Sequence, residues 1–132
     1  MKNIDIAFCF NDAFCALAAG AISSIIRHSS ENNQYHIYIV NDNISDYNQY
    51  LINTLNEKQN VRISFVKIDF DSLIKEDISY TRQTIHTFTR LFLHKLFPHI
   101  DKMLYLDGDI IVTSDIAEVF NQSLGGGQLV RV

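Results

Sequence analysis

The chain has 132 residues, of which 47% are hydrophobic and 20% are charged, and its formal net charge at pH 7 is -4. A chain of this length can bury one core, so residues 1–132 are expected to form a single domain. The acidic balance and the lack of a basic run disfavour a nucleic-acid partner. Cys9 and Cys15 lie in apolar sequence without metal-ligand spacing, which is typical of reduced cysteines in a cytoplasmic protein.

Residues 6–26 form a long apolar stretch that follows Lys2. Such a stretch leaves a signal peptide or a membrane span open as an alternative. The adjacent polar residues Asn11 and Asp12 favour a strand, a polar turn and a helix instead. A cytoplasmic location is therefore expected, with peripheral association with a membrane left open.

Hydrophobic periodicity predicts alternating strands and helices along the chain. In chain order they are a strand at 4–10, a helix at 13–28, a strand at 35–40, a helix at 45–58, a strand at 61–68, a helix at 84–97, a strand at 102–106 that continues extended at 110–112, and a short helix at 115–120. Asp12 and Ser45 are the expected N-caps of the first two helices. Small residues on the first helix, Ala16, Ala19, Gly20 and Ser23, are expected to pack on the sheet.

This alternation predicts an α/β fold with a mostly parallel sheet, right-handed crossovers and helices on both faces. Ligands of such sheets bind beyond the carboxyl ends of the strands. Polar residues follow three of the predicted strands, at Asn11 and Asp12, at 41–43 and at 107–109. We therefore expect these residues to meet at one edge of the sheet.

Asp107 and Asp109 form a D-G-D motif around Gly108. Two carboxylates at positions i and i+2 of an extended chain point to the same side and repel each other. A divalent cation relieves that repulsion, and aspartate oxygens suit magnesium or manganese ions that also bind substrate phosphates. Gly108 would leave space for a ligand or for backbone. The motif thus predicts a metal clamp on a diphosphate.

The spacing alone is weak evidence, because Asp69 and Asp71 repeat it in what reads as a turn and helix cap. Apolar residues on both sides of 107–109 predict instead that this motif lies in a buried crossing of the sheet. Two charges buried there without a partner would cost several kcal/mol. A solvated loop stays open as the alternative.

The run at 105–112, Y-L-D-G-D-I-I-V, resembles the Y-L-D-x-D-hydrophobic-x-V signature of family 8 glycosyltransferases. That family contains bacterial lipopolysaccharide galactosyl- and glucosyltransferases and glycogenin. Further segments resemble the family in the same order, at 41–45, 87–91 and 115–120, so that the resemblance covers about residues 3–124.

The resemblance implies a GT-A fold and the transfer of a hexose from a UDP-sugar to a saccharide acceptor, lipopolysaccharide included, with retention of configuration. It implies that Asp107 and Asp109 coordinate manganese (or magnesium) bridged to the UDP diphosphate. It also places Asp107 and Gly108 beside the donor and matches Arg90 to an arginine that contacts the donor.

The chain departs from the family pattern at the end of the first strand. Asn11 stands where the family has an aspartate that accepts from the uracil N–H, and Phe14 stands where a tyrosine stacks on uracil. Ala13 replaces an asparagine and loses a polar contact. Asn11 and Phe14 are still expected to bind uridine, with an ordinary core role left open for Phe14.

The chain ends at Val132, before the positions where the resemblance places a third metal ligand, a histidine, and the acceptor-binding residues. Residues 1–132 are therefore expected to be the N-terminal half of a truncated catalytic domain, in which no catalytic residue is assigned. A non-catalytic nucleotide-binding or subunit-interaction module stays open, and an exposed sheet edge would favour a homo-oligomer. A phosphatase-type hydrolase is disfavoured, because Ile110 follows the motif where those enzymes have Gly-Thr.

Overall fold

The computed structural model describes residues 2–69 and 93–122. The part of the predicted helix that precedes residue 93 lies outside these ranges, and so do Asp71 and Arg90. The elements in chain order are β1 (Lys2–Cys9), a 3-10 turn (Asp12–Phe14), α1 (Cys15–His28), β2 (Asn33–Asn41), α2 (Asp46–Thr54), β3 (Val61–Lys67), α3 (Leu93–Leu96), β4 (Leu104–Tyr105) and α4 (Ala117–Phe120).

The four strands form one parallel sheet in the order β3-β2-β1-β4. The central strand β1 is paired on both sides, and Ile6 lies between Ile37 of β2 and Leu104 of β4. Burial on both faces explains its continuous apolar run from Ile6 to Phe8, because the central strands of parallel sheets are covered on both sides. The predicted parallel α/β sheet is confirmed.

Apolar residues pack on both faces of this sheet. Successive residues of a strand point to opposite faces. One cluster contains Ile6 and Ile37 together with residues of α1, α2 and α4. A second cluster contains Ala7 and Val40, and Leu93 of α3 packs there. Helices thus cover both faces, as the alternation predicts.

The buried face of α1 differs from the predicted one. Ala16, Gly20 and Ser23 are exposed. The large apolar residues Ile22 and Ile25 are buried instead and, with their neighbours, turn the helix towards the core. Burying large side chains stabilises the fold more than close approach of small ones, so the isoleucines decide which face packs.

The caps at the starts of the helices are partly as expected. The Ser45 hydroxyl accepts the backbone N–H of Asn48 at 3.2 Å and caps α2, which confirms that prediction. The prediction for Asp12 is wrong. Asn11 caps the 3-10 turn, since its Oδ1 accepts the backbone N–H of Phe14 at 3.1 Å, and α1 continues directly from that turn.

Residues 110–112 do not extend β4, which the sequence analysis expected. They pair with no strand in the described ranges and lie beside α1 instead. The buried Ser24 hydroxyl of α1 accepts the backbone N–H of Val112 at 2.9 Å and donates to the carbonyl of Ala21 at 2.7 Å. Because a buried backbone N–H needs a partner, this bond replaces the sheet hydrogen bond that the segment would otherwise make.

The same segment is fastened again at Asp115. The hydroxyl of Tyr35, which is 2% exposed, lies 2.6 and 2.7 Å from the two carboxylate oxygens of Asp115. Asp115 also accepts the backbone N–H groups of Ser30 at 3.2 Å and Ala117 at 3.0 Å. Burial, and then this hydrogen bond, raise the pKa of the Tyr35 hydroxyl above its ordinary value.

Residues 6–26, the apolar stretch, divide between β1 and α1 with the 3-10 turn between them. Over residues 2–69 and 93–122, no helix combines the length and the apolar character that crossing a membrane requires. Cys9 and Cys15 form no disulfide with each other, and Cys15 is buried.

Replacing Tyr35 by Phe is expected to lower the free energy of unfolding by about 1–2 kcal/mol, because Asp115 then loses a buried donor. Urea denaturation of the protein measures this change. Tyr47→Phe serves as the matched control, since Tyr47 is 69% exposed and its hydroxyl is solvated. Equal stabilities of the two variants would contradict the anchoring role of Tyr35.

His36 predicts a pH dependence of stability. Burial, followed by the charge of Arg62, holds the pKa of His36 below its ordinary value of 6.5. The unfolded chain therefore binds the proton more tightly. This contribution to stability is complete above the unfolded pKa and is lost as the pH falls through the folded one.

Between neutral pH and about pH 5, wild-type protein is thus expected to lose more stability than His36→Gln. Urea midpoints at the two pH values give the comparison, and an NMR titration of the His36 ring gives its pKa directly. Parallel losses in the two proteins, or a ring pKa at or above the ordinary value, would rule this out.

Candidate functional site

The carboxyl ends of β1, β2 and β4 lie at one edge of the sheet. Cys9 at the end of β1 is in register with Val40 of β2. The backbone N–H of Leu106 donates to the carbonyl of Ala7 at 2.9 Å, which holds the chain beside β1 just before the D-G-D motif. The three polar clusters therefore follow neighbouring strands at this edge, where ligands of parallel α/β sheets bind.

The 3-10 turn after β1 carries Asn11 and Phe14. Asn11 is exposed, and its capping bond to the Phe14 N–H uses one of the two acceptor positions of Oδ1. Within the described ranges its amide nitrogen donates to no protein group. The Phe14 ring is partly buried and packs against the core cluster. The turn thus presents one amide and one aromatic ring side by side.

Gly108 packs directly against this turn. It is buried, and a Cβ at this position would lie 3.0 Å from Cε1 of Phe14 and 3.2 Å from Cβ of Ala18. The space beside its α-carbon is therefore filled by the turn and by α1, rather than left open for a ligand. A contact between the Gly108 backbone and a donor stays a prediction.

Asp107 and Asp109 lie on a turn and are both exposed. The expectation of a buried crossing of the sheet is wrong, because β4 ends at Tyr105 and only Leu106 and Gly108 turn inward. Solvent therefore reaches both carboxylates. The backbone between them is nevertheless held in place, because Gly108 packs against α1.

The exposed pair suits a hard divalent cation, which prefers oxygen ligands. No group of three or more His, Cys, Asp or Glu residues able to hold a metal occurs in residues 2–69 and 93–122. Two carboxylates would leave most coordination positions of such an ion to water, to phosphate oxygens or to residues elsewhere in the chain.

Asp12 makes contacts that the sequence analysis did not predict. Its Oδ1 accepts the backbone N–H of Ser45 at 2.9 Å and the amide Nδ2 of Asn48 at 2.8 Å. The Ser45 N–H is the main cause that lowers the pKa of Asp12, followed by the Asn48 amide. No local pattern reveals this link, because the partners are 33 and 36 positions away.

The structure brings five of the predicted site residues together. Phe14 contacts Gly108, Asn11 shares the turn with Phe14, and the two carboxylates flank Gly108. Arg90 lies outside the described residues, so its predicted contact with a donor stays a prediction. Asp69, from the second D-x-D, follows β3 and is exposed, whereas Asp71 is outside the described ranges.

Proteins of a known family are similar in sequence to this chain. The profile of glycosyl transferase family 8 matches residues 5–132. Glycosyltransferase 8 domain-containing protein 1 of Danio rerio is 33% identical over 117 residues, which cover 85% of this chain and 30% of that protein. The Homo sapiens protein of the same name is 29% identical over 114 residues, which cover 82% of this chain and 30% of that protein.

Solved structures share the fold. The bifunctional glycosyltransferase WbbM matches with a TM-score of 0.81 and 26% identity over 93% of this chain and 21% of that chain. The galactosyltransferase LgtC, in complex with donor and acceptor sugar analogues, matches with a TM-score of 0.75 and 23% identity over 92% of this chain and 44% of that chain.

The chain thus spans less than a third of the length of the two curated relatives and less than half of either solved structure. The likeness to these structures assigns the parallel sheet to the GT-A fold. With the profile match over nearly the whole sequence, this chain belongs to glycosyl transferase family 8.

Proposed function

We propose that this chain forms the donor-binding part of a metal-dependent, retaining glycosyltransferase that takes a hexose from a UDP-sugar. The observation that carries the proposal is the contact between Phe14 and Gly108. It joins the turn that would hold the base to the motif that would hold the diphosphate, in a chain whose family transfers glycosyl groups.

Asp107 and Asp109 would hold the metal, manganese or magnesium. Their carboxylates are exposed and lie two positions apart, on either side of the buried Gly108. They offer only oxygen ligands, which such an ion prefers. A bound divalent cation would supply neutralisation of the negative charge that develops on the departing UDP. Arg90 would add a second positive charge beside the diphosphate.

Phe14 and Asn11 would bind the uridine. The partly exposed ring of Phe14 offers a face on which uracil can stack. Oδ1 of Asn11 keeps one acceptor position for the uracil N–H after it has capped the turn. Because the same capping bond orients the amide, Asn11 and Phe14 form one unit rather than two independent contacts.

The acceptor would be a saccharide, with lipopolysaccharide sugars included, and the protein would act in the cytoplasm or at a membrane surface. Association into a homo-oligomer belongs to the same proposal. The acceptor is supported by the family match and by the complex of LgtC with donor and acceptor sugar analogues, whereas the location and the oligomer rest on the sequence alone.

Replacing Asp107 and Asp109 together by Asn is expected to weaken manganese-dependent UDP binding at least about tenfold, or about 1.4 kcal/mol, because the neutral amides are poorer metal ligands. Calorimetric titration with UDP, with and without manganese, measures the effect. Asp69→Asn is the control, since Asp69 is an exposed aspartate that also follows a strand.

The metal-clamp proposal would be refuted if the wild-type protein did not bind UDP, or if the double variant bound UDP with the same affinity as the wild type. Incubation with a panel of UDP-sugars then tests the transferase. Release or transfer of a sugar supports it, whereas UDP binding without either outcome would replace it with the non-catalytic nucleotide-binding module.

Gly108→Ala is expected to push Phe14 from its position, since the new Cβ would lie 3.0 Å from the ring. The stability loss should be about 1–3 kcal/mol, and UDP binding should weaken as well. The matched control is Gly20→Ala in α1, where a Cβ would meet Cδ1 of Ile111 at 3.6 Å, an ordinary contact.

Gly20→Ala should stabilise the protein by about 0.5–1 kcal/mol, because alanine favours the helix. Thermal unfolding and UDP titration of both variants provide the measurement. Unaltered UDP affinity in Gly108→Ala would show that the packing of Gly108 against Phe14 does not govern donor binding.

A further inference from the structure

The 3-10 turn is bound to α2 as well as to α1. Oδ1 of Asp12 accepts the Ser45 N–H at 2.9 Å and the Asn48 side-chain amide at 2.8 Å. The Ser45 hydroxyl accepts the backbone N–H of Asn48 at 3.2 Å. Asp12, Ser45 and Asn48 thus form a closed network, called here the α2 brace, in which each residue bonds to both others.

The other polar bonds of the turn are local. Asn11 caps Phe14 through its side chain, and its carbonyl accepts the same N–H at 3.1 Å. The Cys15 thiol lies 3.8 Å from that carbonyl. These bonds fix the shape of the turn but not its position relative to β2 and α2. Among the described residues, the brace is the polar link that does so.

A carboxylate suits this place for two reasons. Hydrogen bonds to a charged acceptor are stronger than those between neutral groups. In addition, Asp12 lies in the first turn of the 3-10 segment that leads into α1, and it contacts the first turn of α2. Negative charge is favourable near the N-terminus of a helix. Both donors lower the pKa of Asp12, so the charged form makes the brace.

In the proposed site, the residues that would bind the donor lie on both sides of Asp12 in the sequence. Asn11 precedes it, and Phe14 follows it by two positions. A shift of the turn would move the amide and the ring together, because the capping bond couples them. Small misplacements of binding groups are costly when they must meet a rigid base.

We propose that Asp12 is a positioning residue for the nucleotide base: through Ser45 and Asn48 it fixes the turn that carries Asn11 and Phe14, without contacting the donor itself. This inference rests on the proposed function of that turn. Its specific consequence is that loss of the brace weakens recognition of the base more than it weakens binding of a diphosphate at the Asp107 and Asp109 carboxylates, because Gly108 between them also packs on Ala18 of α1.

The test compares UDP with pyrophosphate, each titrated in the presence of manganese. Asn48→Ala should weaken UDP binding about 2- to 10-fold, as expected for the loss of one hydrogen bond that orders the turn. Asp12→Ala should weaken it further, since both bonds disappear. Manganese pyrophosphate, which has no base, should lose less affinity than UDP does in each of these variants.

Asp12→Asn keeps an acceptor oxygen and should restore most of the affinity that Asp12→Ala loses. Asn60→Ala is the matched control. The Asn60 amide donates to the carbonyls of Ser30 at 2.8 Å and Asn33 at 2.9 Å, beside the starts of β2 and β3 and so at the opposite edge of the sheet. This variant loses an amide that links two segments, yet it should leave UDP affinity unchanged.

Hydrogen exchange of the Ser45 amide reports on the brace without a ligand and should accelerate in Asp12→Ala. If wild type binds UDP but the Asp12 and Asn48 variants bind it equally well, the positioning role is overturned while the donor site stands. Equal weakening of UDP and pyrophosphate binding would overturn it too, because the damage would then be general. Failure of wild type to bind UDP would overturn the proposed function itself.

Discussion

The close contact of Gly108 with Phe14 and Ala18 is the constraint on which the rest of the site depends. It brings the backbone of the D-G-D motif against the start of α1, at a distance that leaves no room for a side chain. The carboxylates on both sides of Gly108 are exposed, whereas the glycine between them is buried against Phe14 and Ala18. The site thus takes its geometry from a helix surface rather than from the end of a strand.

The chain beyond Gly108 remains close to the same helix. Ile111 lies over Gly20, the Val112 N–H is bound by Ser24, and the chain is fastened again where Asp115 meets Ser30 just beyond the end of α1. Ser24 is buried and both donates and accepts, so the contact carries no unsatisfied polar group. Tyr35 closes the far end through Asp115 and ties this segment to β2. One helix therefore aligns the sheet, the 3-10 turn and the D-G-D motif.

Much of the fold follows from sequence pattern, because buried parallel strands and an amphipathic helix each have their own hydrophobic period. The same holds for the Ser45 cap, which is a local interaction. The D-G-D motif could be located through its resemblance to a family. The exposure of Asp107 and Asp109 could not, because the apolar residues on both sides of them predict burial in the sheet, whereas residues 110–112 leave the sheet and lie beside α1.

Two other differences from the sequence-based prediction share one cause, which is competition between partners far apart in the chain. Asp12 has the composition of a helix cap, but Asn11 takes that role and leaves Asp12 to bind the start of α2. Local propensity cannot rank these two outcomes, since the deciding donors belong to another helix. The path of residues 110–112 is a similar case, because a buried serine of α1 replaces a neighbouring strand as the acceptor.

The contacts along α1 also restrict its length. Phe14, Gly20 and Ser24 meet Gly108, Ile111 and Val112 in the same order, so two segments distant in sequence share one register. A single residue inserted between Phe14 and Ser24 would rotate the later part of the helix by about 100° and shift it by about 1.5 Å. Ser24 would then face away from Val112, while Gly108 would still pack against Phe14. The number of residues between Phe14 and Ser24 is therefore fixed by the segment that packs along them, although no sequence motif marks it.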